Sequence, residues 1–209
     1  IDKRHNDVRD TIVGQMKEAF SDVQKEPTLI PLTESDKAQL NYKTAKNELN
    51  SHPDMRVYGL FRDGQQAYTD FMVFDPAQPS YLETDLEHVY LGRENEKNRY
   101  YEERIRIIEH GVFYPSIIST YCGFGPKLNE SLSLLAEKLS LKHKIAESKM
   151  KSLLRIKIQF SVIRGVIRCL RGTRKRKNVF SFQSDQAEPF LRGVESADVI
   201  MAEAGLRNE

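Results

Sequence analysis

The chain has 209 residues, 39% hydrophobic and 30% charged, with a formal net charge of +2. That composition supports one globular domain with a real core, and so balanced a charge excludes a partner chosen by overall charge alone. Cys122 and Cys169 make neither a disulfide framework nor a zinc site by spacing; no signal peptide and no membrane-spanning apolar run is present, so an intracellular protein with no membrane partner is expected.

The first residue is Ile1, which reads as a piece of a longer polypeptide. Val8, Ile12, Val13, Met16, Ala19 and Phe20 recur at helical spacing and predict an amphipathic helix from Asp7 to Phe20. A strand follows from Val23, and Pro27 and Pro31 keep it short or at a sheet edge. Thr33 to His52 is polar, a short helix or a loop, with Ser35 and Asp36 as caps. Met55 to Phe61 and Gln66 to Phe74 are strands joined at Asp63-Gly64, a strong hairpin signal because both residues tolerate positive φ.

Leu86 to His110 predicts a long, exposed, charged helix, with Gly111 as its C-cap glycine. The β-branched and aromatic run GVFYPSIISTY reads as a buried strand, and Leu128 to Lys144 as a helix. The last helix is expected from Lys149 to Arg171. Its residues Ile156, Phe160, Ile163, Ile167 and Leu170 step by four, three, four and three, which reads as a core-facing stripe. Residues 1–177 would form the domain and 178–209 a flexible tail. The element order predicts an α/β fold, with helices on a short mixed sheet.

Two carboxylates stand out, Asp54 at the mouth of the hairpin and Asp70 inside its second strand. They can lie on neighbouring strands at one sheet edge, where they repel unless a cation sits between them. A Mg²⁺ or Mn²⁺ held by such oxygens can polarise a phosphate and activate water. The bland alternative is a capping Asp54 paired with Arg56 or Arg62, and a solvent-facing Asp70.

From Lys149 to Lys177 the chain carries many Lys and Arg and no Asp or Glu. Arg164, Arg168, Arg171 and Lys175 share one helix face; with Lys157, Arg174 and Arg176 they form the expected footprint for a DNA backbone. Such binding weakens steeply with salt. The RGTRKRK run also fits a nuclear localisation signal, so a nuclear location is expected.

Pro53-Asp54 on one strand and Asp70-Phe71-Met72 on the next resemble the core signature of the PD-(D/E)XK nuclease fold. From Arg4 to Arg174 the chain also resembles the C-terminal domains that follow reverse transcriptases in animal retroelements. The segments HNDVRD, KEPTLIPL, the hairpin, VFDPAQPSY, ENEKNRYYEERIRIIEHGVFYP, CGFGP and FSVIRGVIRCLRGTR carry that resemblance, in order.

The resemblance implies an α-β-β-β-α-β restriction-endonuclease-like core with additional C-terminal helices. It implies a Mg- or Mn-dependent DNA endonuclease from a retrotransposon-type polyprotein, fused to a reverse transcriptase, with an RNA–DNA intermediate as a further partner. Asp54 and Asp70 would hold the metal, with Glu26 as third acid and Asp10 as its competitor. Such families resemble Asp-x-basic at the second strand, where this chain has Met72. Either another cation stands in, from Arg56, Arg62 or Lys97, or the domain is an inactive module that binds or tethers DNA. A protein-interaction domain is the third reading.

Overall fold

The computed structural model describes residues 2–42, 45 and 52–171. These lie within one compact unit, Ile1–Gly172. The expected tail 178–209, the domain boundary at 177, and Arg174, Lys175 and Arg176 fall outside the described residues.

The first helix, α1 (Asp2–Ala19), starts earlier than its apolar pattern suggests. Strand β1 is only Val23–Lys25: Glu26 takes a left-handed φ of 48° and Pro27 has no N–H to continue a ladder. Helix α2 (Glu34–Gln39) begins with a capping box in which Thr33, not Ser35, is the cap. Thr33 Oγ1 accepts the Asp36 N–H at 3.2 Å, and Asp36 Oδ2 accepts the Thr33 N–H at 2.9 Å.

The hairpin is β2 (Met55–Tyr58) and β3 (Gln66–Thr69), paired antiparallel with Met55 opposite Thr69. The run expected as one strand to Phe74 divides at Asp70 into β3 and β4 (Phe71–Phe74). Pro53 stops the β2 side, and the Phe71 N–H goes to the Asp54 carboxylate at 2.7 Å rather than to a strand partner. After a turn of 3₁₀ helix at Pro79–Tyr81 comes the long helix α3 (Leu86–Ile107).

The next strand divides at the same level, into β5 (Val112–Phe113) and β6 (Ser116–Ser119). β5 runs parallel to β3, and β6 parallel to β4. The Tyr114 N–H to Tyr68 O bond (2.9 Å) and the Ser116 N–H to Asp70 O bond (3.1 Å) carry the pairing across the break. Since those two N–H groups face β3 and β4, the missing donor of Pro115 falls on the other side, where it does no harm. The main sheet has the order β1-β2-β3-β5.

The expected C-cap glycine is corrected. His110 takes the left-handed conformation, φ 52°, and the Gly111 N–H closes the helix end on Ile105 O at 3.0 Å. Gly111 is needed for a different reason: a Cβ there would stand 2.8 Å from the Tyr68 ring and 2.9 Å from the Gln66 carbonyl.

Helices α4 (Pro126–His143) and α5 (Glu147–Arg171) complete the described chain. Among the described residues the fold is therefore mixed α/β, five helices on a small mixed sheet. Val8, Ile12, Met16, Met55, Val57, Leu128, Leu132, Ile158 and Val162 form the main core, joining α1, α4 and α5 to one sheet face. Each fully buried side chain of this kind contributes about 2 kcal/mol. Strand alternation turns Tyr68, Met72 and Phe74 to the other face, where α3 supplies Val89, Tyr90, Tyr101 and Ile105.

The stripe on α5 is also corrected. Ile156, Phe160, Ile163, Ile167 and Leu170 are exposed, and the helix packs instead through Met150, Leu154, Ile158, Val162 and Gly165. Both sides of the helix are apolar, so periodicity alone could not choose between them. Gly165 helps decide it: a Cβ there would come within 2.5 Å of Arg4 Cγ on α1, so only glycine allows this approach. No described helix is long and apolar enough to cross a membrane.

Candidate active site

The Asp54 and Asp70 side chains lie near each other where β2 begins and β3 ends. The Asp54 N–H bonds the Thr69 carbonyl at 2.9 Å, so Asp54 is held beside the residue that precedes Asp70. Both aspartates are buried, at 7% exposure. Their positions follow from local chemistry: Pro53 ends the ladder before Asp54, and the pleat turns Asp70 toward α3.

Two helices bring cations to this pair. On α1, His5 and Arg9 are four residues apart and so share a face. His5 Nε2 lies 2.9 Å from Asp54 Oδ1, and Arg9 Nη1 lies 3.9 Å from the same oxygen. On α3, Lys97 and Tyr101 repeat that spacing. Lys97 Nζ sits 2.5 Å from Asp70 Oδ2, and the Tyr101 hydroxyl donates to Asp70 Oδ1 at 3.3 Å.

The electrostatics follow from burial and pairing. Burial raises the Asp70 pKa, Lys97 opposes that, and the Asp54 charge raises it further. The hydrogen bond to Asp54 raises the His5 pKa, against the opposing effect of burial. Burial and the Asp70 charge push the Tyr101 hydroxyl far up, which keeps it a donor. The site is thus two partly desolvated carboxylates, each facing a cation from a different helix. His5 and Lys97 are its more open members, with side chains 29% and 23% exposed.

The two candidates for a third acid are placed elsewhere. Glu26 meets Arg9 Nη1, the nitrogen that also faces Asp54, so the guanidinium occupies the space a shared cation would need. Asp10 contacts Arg9 Nε at 3.1 Å and Lys25 Nζ at 3.3 Å. Both carboxylates are more than half exposed, at 57% and 52%. Among the described residues no group of three or more His, Cys, Asp or Glu is placed to hold a metal ion. Asp54 and Asp70 are the two carboxylates that could hold a Mg²⁺ or Mn²⁺ ion, with water completing its shell.

Of the stand-in cations, Arg56 is engaged with Asp22, its Nη2 lying 2.9 Å and 3.1 Å from the two carboxylate oxygens. Arg62 lies at the hairpin turn, the far end from Asp54, beside Phe61, Gln65 and Lys127. Lys97 alone of the three touches an aspartate of the pair. Met72 is two residues past Asp70 on the same face, but it packs against Phe74, Val89, Tyr90 and Ile117. The places of Arg9 and Tyr101 beside the pair were hidden in the sequence, whereas His5 was readable there as a residue that could contact phosphate. The only signal was the repeated i, i+4 spacing of His5 with Arg9 and Lys97 with Tyr101.

The basic row of α5 is split. Arg168 pairs with Asp7 on α1, two residues from His5. Lys157, Arg164 and Arg171 are exposed. No protein-family model matches the chain, and no curated protein matches it.

Proposed function

We propose that the chain is a PD-(D/E)XK-like, metal-dependent DNA endonuclease domain of a retrotransposon-type polyprotein, built on a restriction-endonuclease-like core. The observation that carries this reading is the buried pair Asp54 and Asp70, at the ends of the two central strands with Lys97 on Asp70. Two desolvated carboxylates repel, and a divalent cation between them relieves that repulsion. Mg²⁺ or Mn²⁺ bound by Asp54 and Asp70 would supply polarisation of the phosphate and an activated water.

The chain's own residues do the rest. Lys97 takes the part of the missing basic residue at Met72, orienting the attacking water and offsetting charge on the phosphate from α3 instead of from the strand. His5, held on Asp54 Oδ1 by the hydrogen bond that raises its pKa, contacts phosphate. Tyr101 stays protonated and holds the Asp70 carboxyl in place. Arg168, beside α1 near His5, contacts the DNA backbone, with Arg174, Lys175 and Arg176 beyond the described residues. A nuclear location and a reverse transcriptase in the same polyprotein belong to this reading.

A supercoiled-plasmid nicking assay in Mg²⁺ or Mn²⁺ tests it. Wild type nicks, and Asp54→Asn and Asp70→Asn do not. A silent wild type, or variants that cut equally well, removes the enzyme reading.

One observation favours a second reading. Each aspartate already faces a protein cation, Arg9 or Lys97, and among the described residues no third acid joins them. A self-neutralised site of this kind suits an inactive module that binds or tethers DNA. It predicts salt-sensitive DNA binding with no cleavage in either metal.

A further inference from the structure

The side of α5 turned away from the core is apolar along most of its length. Leu153, Ile156, Phe160, Ile163, Ile167 and Leu170 are between 39% and 82% exposed. Their steps of three and four are the a/d spacing of a coiled-coil seam, here about 25 Å long. The residues that bury α5, Met150, Leu154, Ile158, Val162 and Gly165, lie on the opposite side.

The two flanks of the seam differ. Lys157, Arg164 and Arg171 follow the seam residues Ile156, Ile163 and Leu170, in the row that heptad notation labels e. All three are exposed. The opposite row is Ser152, Gln159 and Val166, which carries no charge. Arg168 stands nearer the core side and is engaged by Asp7.

We propose that this face docks a helix of another protein, one apolar at its own a/d positions and acidic where it meets Lys157, Arg164 and Arg171. Charge complementarity selects that occupant. A second copy bound antiparallel sets the cation row against itself, and one bound parallel matches it with an uncharged row. Nucleic acid would satisfy the cations but leave six apolar side chains in water. An anionic bilayer favours cations on both flanks, and here one flank has none. The inference is independent of the nuclease reading.

The test uses the full chain and two dye-labelled peptides of three heptads. Both have Leu at a and d; one has Glu at e and g, the other Lys. Fluorescence anisotropy should show saturable binding of the Glu peptide and binding of the Lys peptide weaker by about tenfold or more. Phe160→Ser and Ile163→Ser, at exposed positions, should weaken the Glu peptide by about tenfold each, with circular dichroism unchanged. Arg164→Glu should narrow or reverse the preference between peptides. Four results would overturn the proposal. They are no binding of the Glu peptide, a preference unmoved by Arg164→Glu, self-association lost in Ile163→Ser, and displacement of the peptide by duplex DNA or phosphatidylserine vesicles.

Discussion

Lys97 Nζ lies 2.5 Å from Asp70 Oδ2, reaching from α3 to a strand where the neighbouring same-face position is Met72. One positive charge is therefore supplied from a helix, while the strand position holds apolar packing. Lys97→Met should lower the nicking rate by about a hundredfold, the scale of losing one charge-stabilising donor. Met72→Lys should not compensate. It drives an ammonium among Phe74, Val89, Tyr90 and Ile117, and should cost about 1–3 kcal/mol in urea unfolding. Restored or increased cleavage in Met72→Lys would show that the strand position, not α3, governs the chemistry.

The two faces of α5 give a second prediction. Ile158→Ala removes a fully buried side chain and should cost about 2–4 kcal/mol. Ile163→Ala, at 43% exposure, should stay within about 1 kcal/mol. Chemical denaturation of both variants measures the contrast; equal losses would mean the seam is covered within the folded chain.

Gly111→Ala should destabilise by about 1–3 kcal/mol, since the new methyl meets the Tyr68 ring and the Gln66 carbonyl and neither can withdraw freely. The same change at Gly14, where a Cβ meets nothing within 4 Å, should stabilise or be neutral, because Gly14 lies inside α1. The thermal midpoint should fall in Gly111→Ala and hold or rise in Gly14→Ala.

Glu103 on α3 governs a pH-dependent part of stability. Burial pushes its pKa up, but the N–H groups of Tyr42 and Asn41 and the charge of Arg106 more than offset this, and the pKa falls below its ordinary value of 4.5. A depressed carboxylate contributes stability that is full above the unfolded value and is lost as pH drops through the folded one. Glu103→Gln should cost about 2 kcal/mol at pH 7, the scale of hydrogen bonds to a charged group. The gap between wild type and variant should close as pH falls below 4.5, which urea unfolding at stepped pH would show.

Helix and strand types were legible in the sequence because apolar spacing reports them directly. Asp63-Gly64 marked the hairpin, and the prolines marked β1 as short. That Asp54 and Asp70 can lie at the same end of neighbouring strands was legible from turn position, but reading them as a pair rested on element order and a resemblance. Their neighbours were legible only in part: Lys97 was one of three candidate cations, and nothing in the sequence chose it over Arg56 and Arg62. His5 lies 49 residues from Asp54, and Lys97 lies 27 residues from Asp70, so no local pattern links them. Arg9 shows the same limit: the helix period sets its face, but the fold alone puts its guanidinium between Glu26 and Asp54. The stripe of α5 marks the boundary most plainly. Periodicity establishes that a helix has an apolar side, whereas which of two apolar sides is buried depends on what approaches it. Here α1 comes close enough at Arg4 that only Gly165 can face it, and Ile163 is left outside.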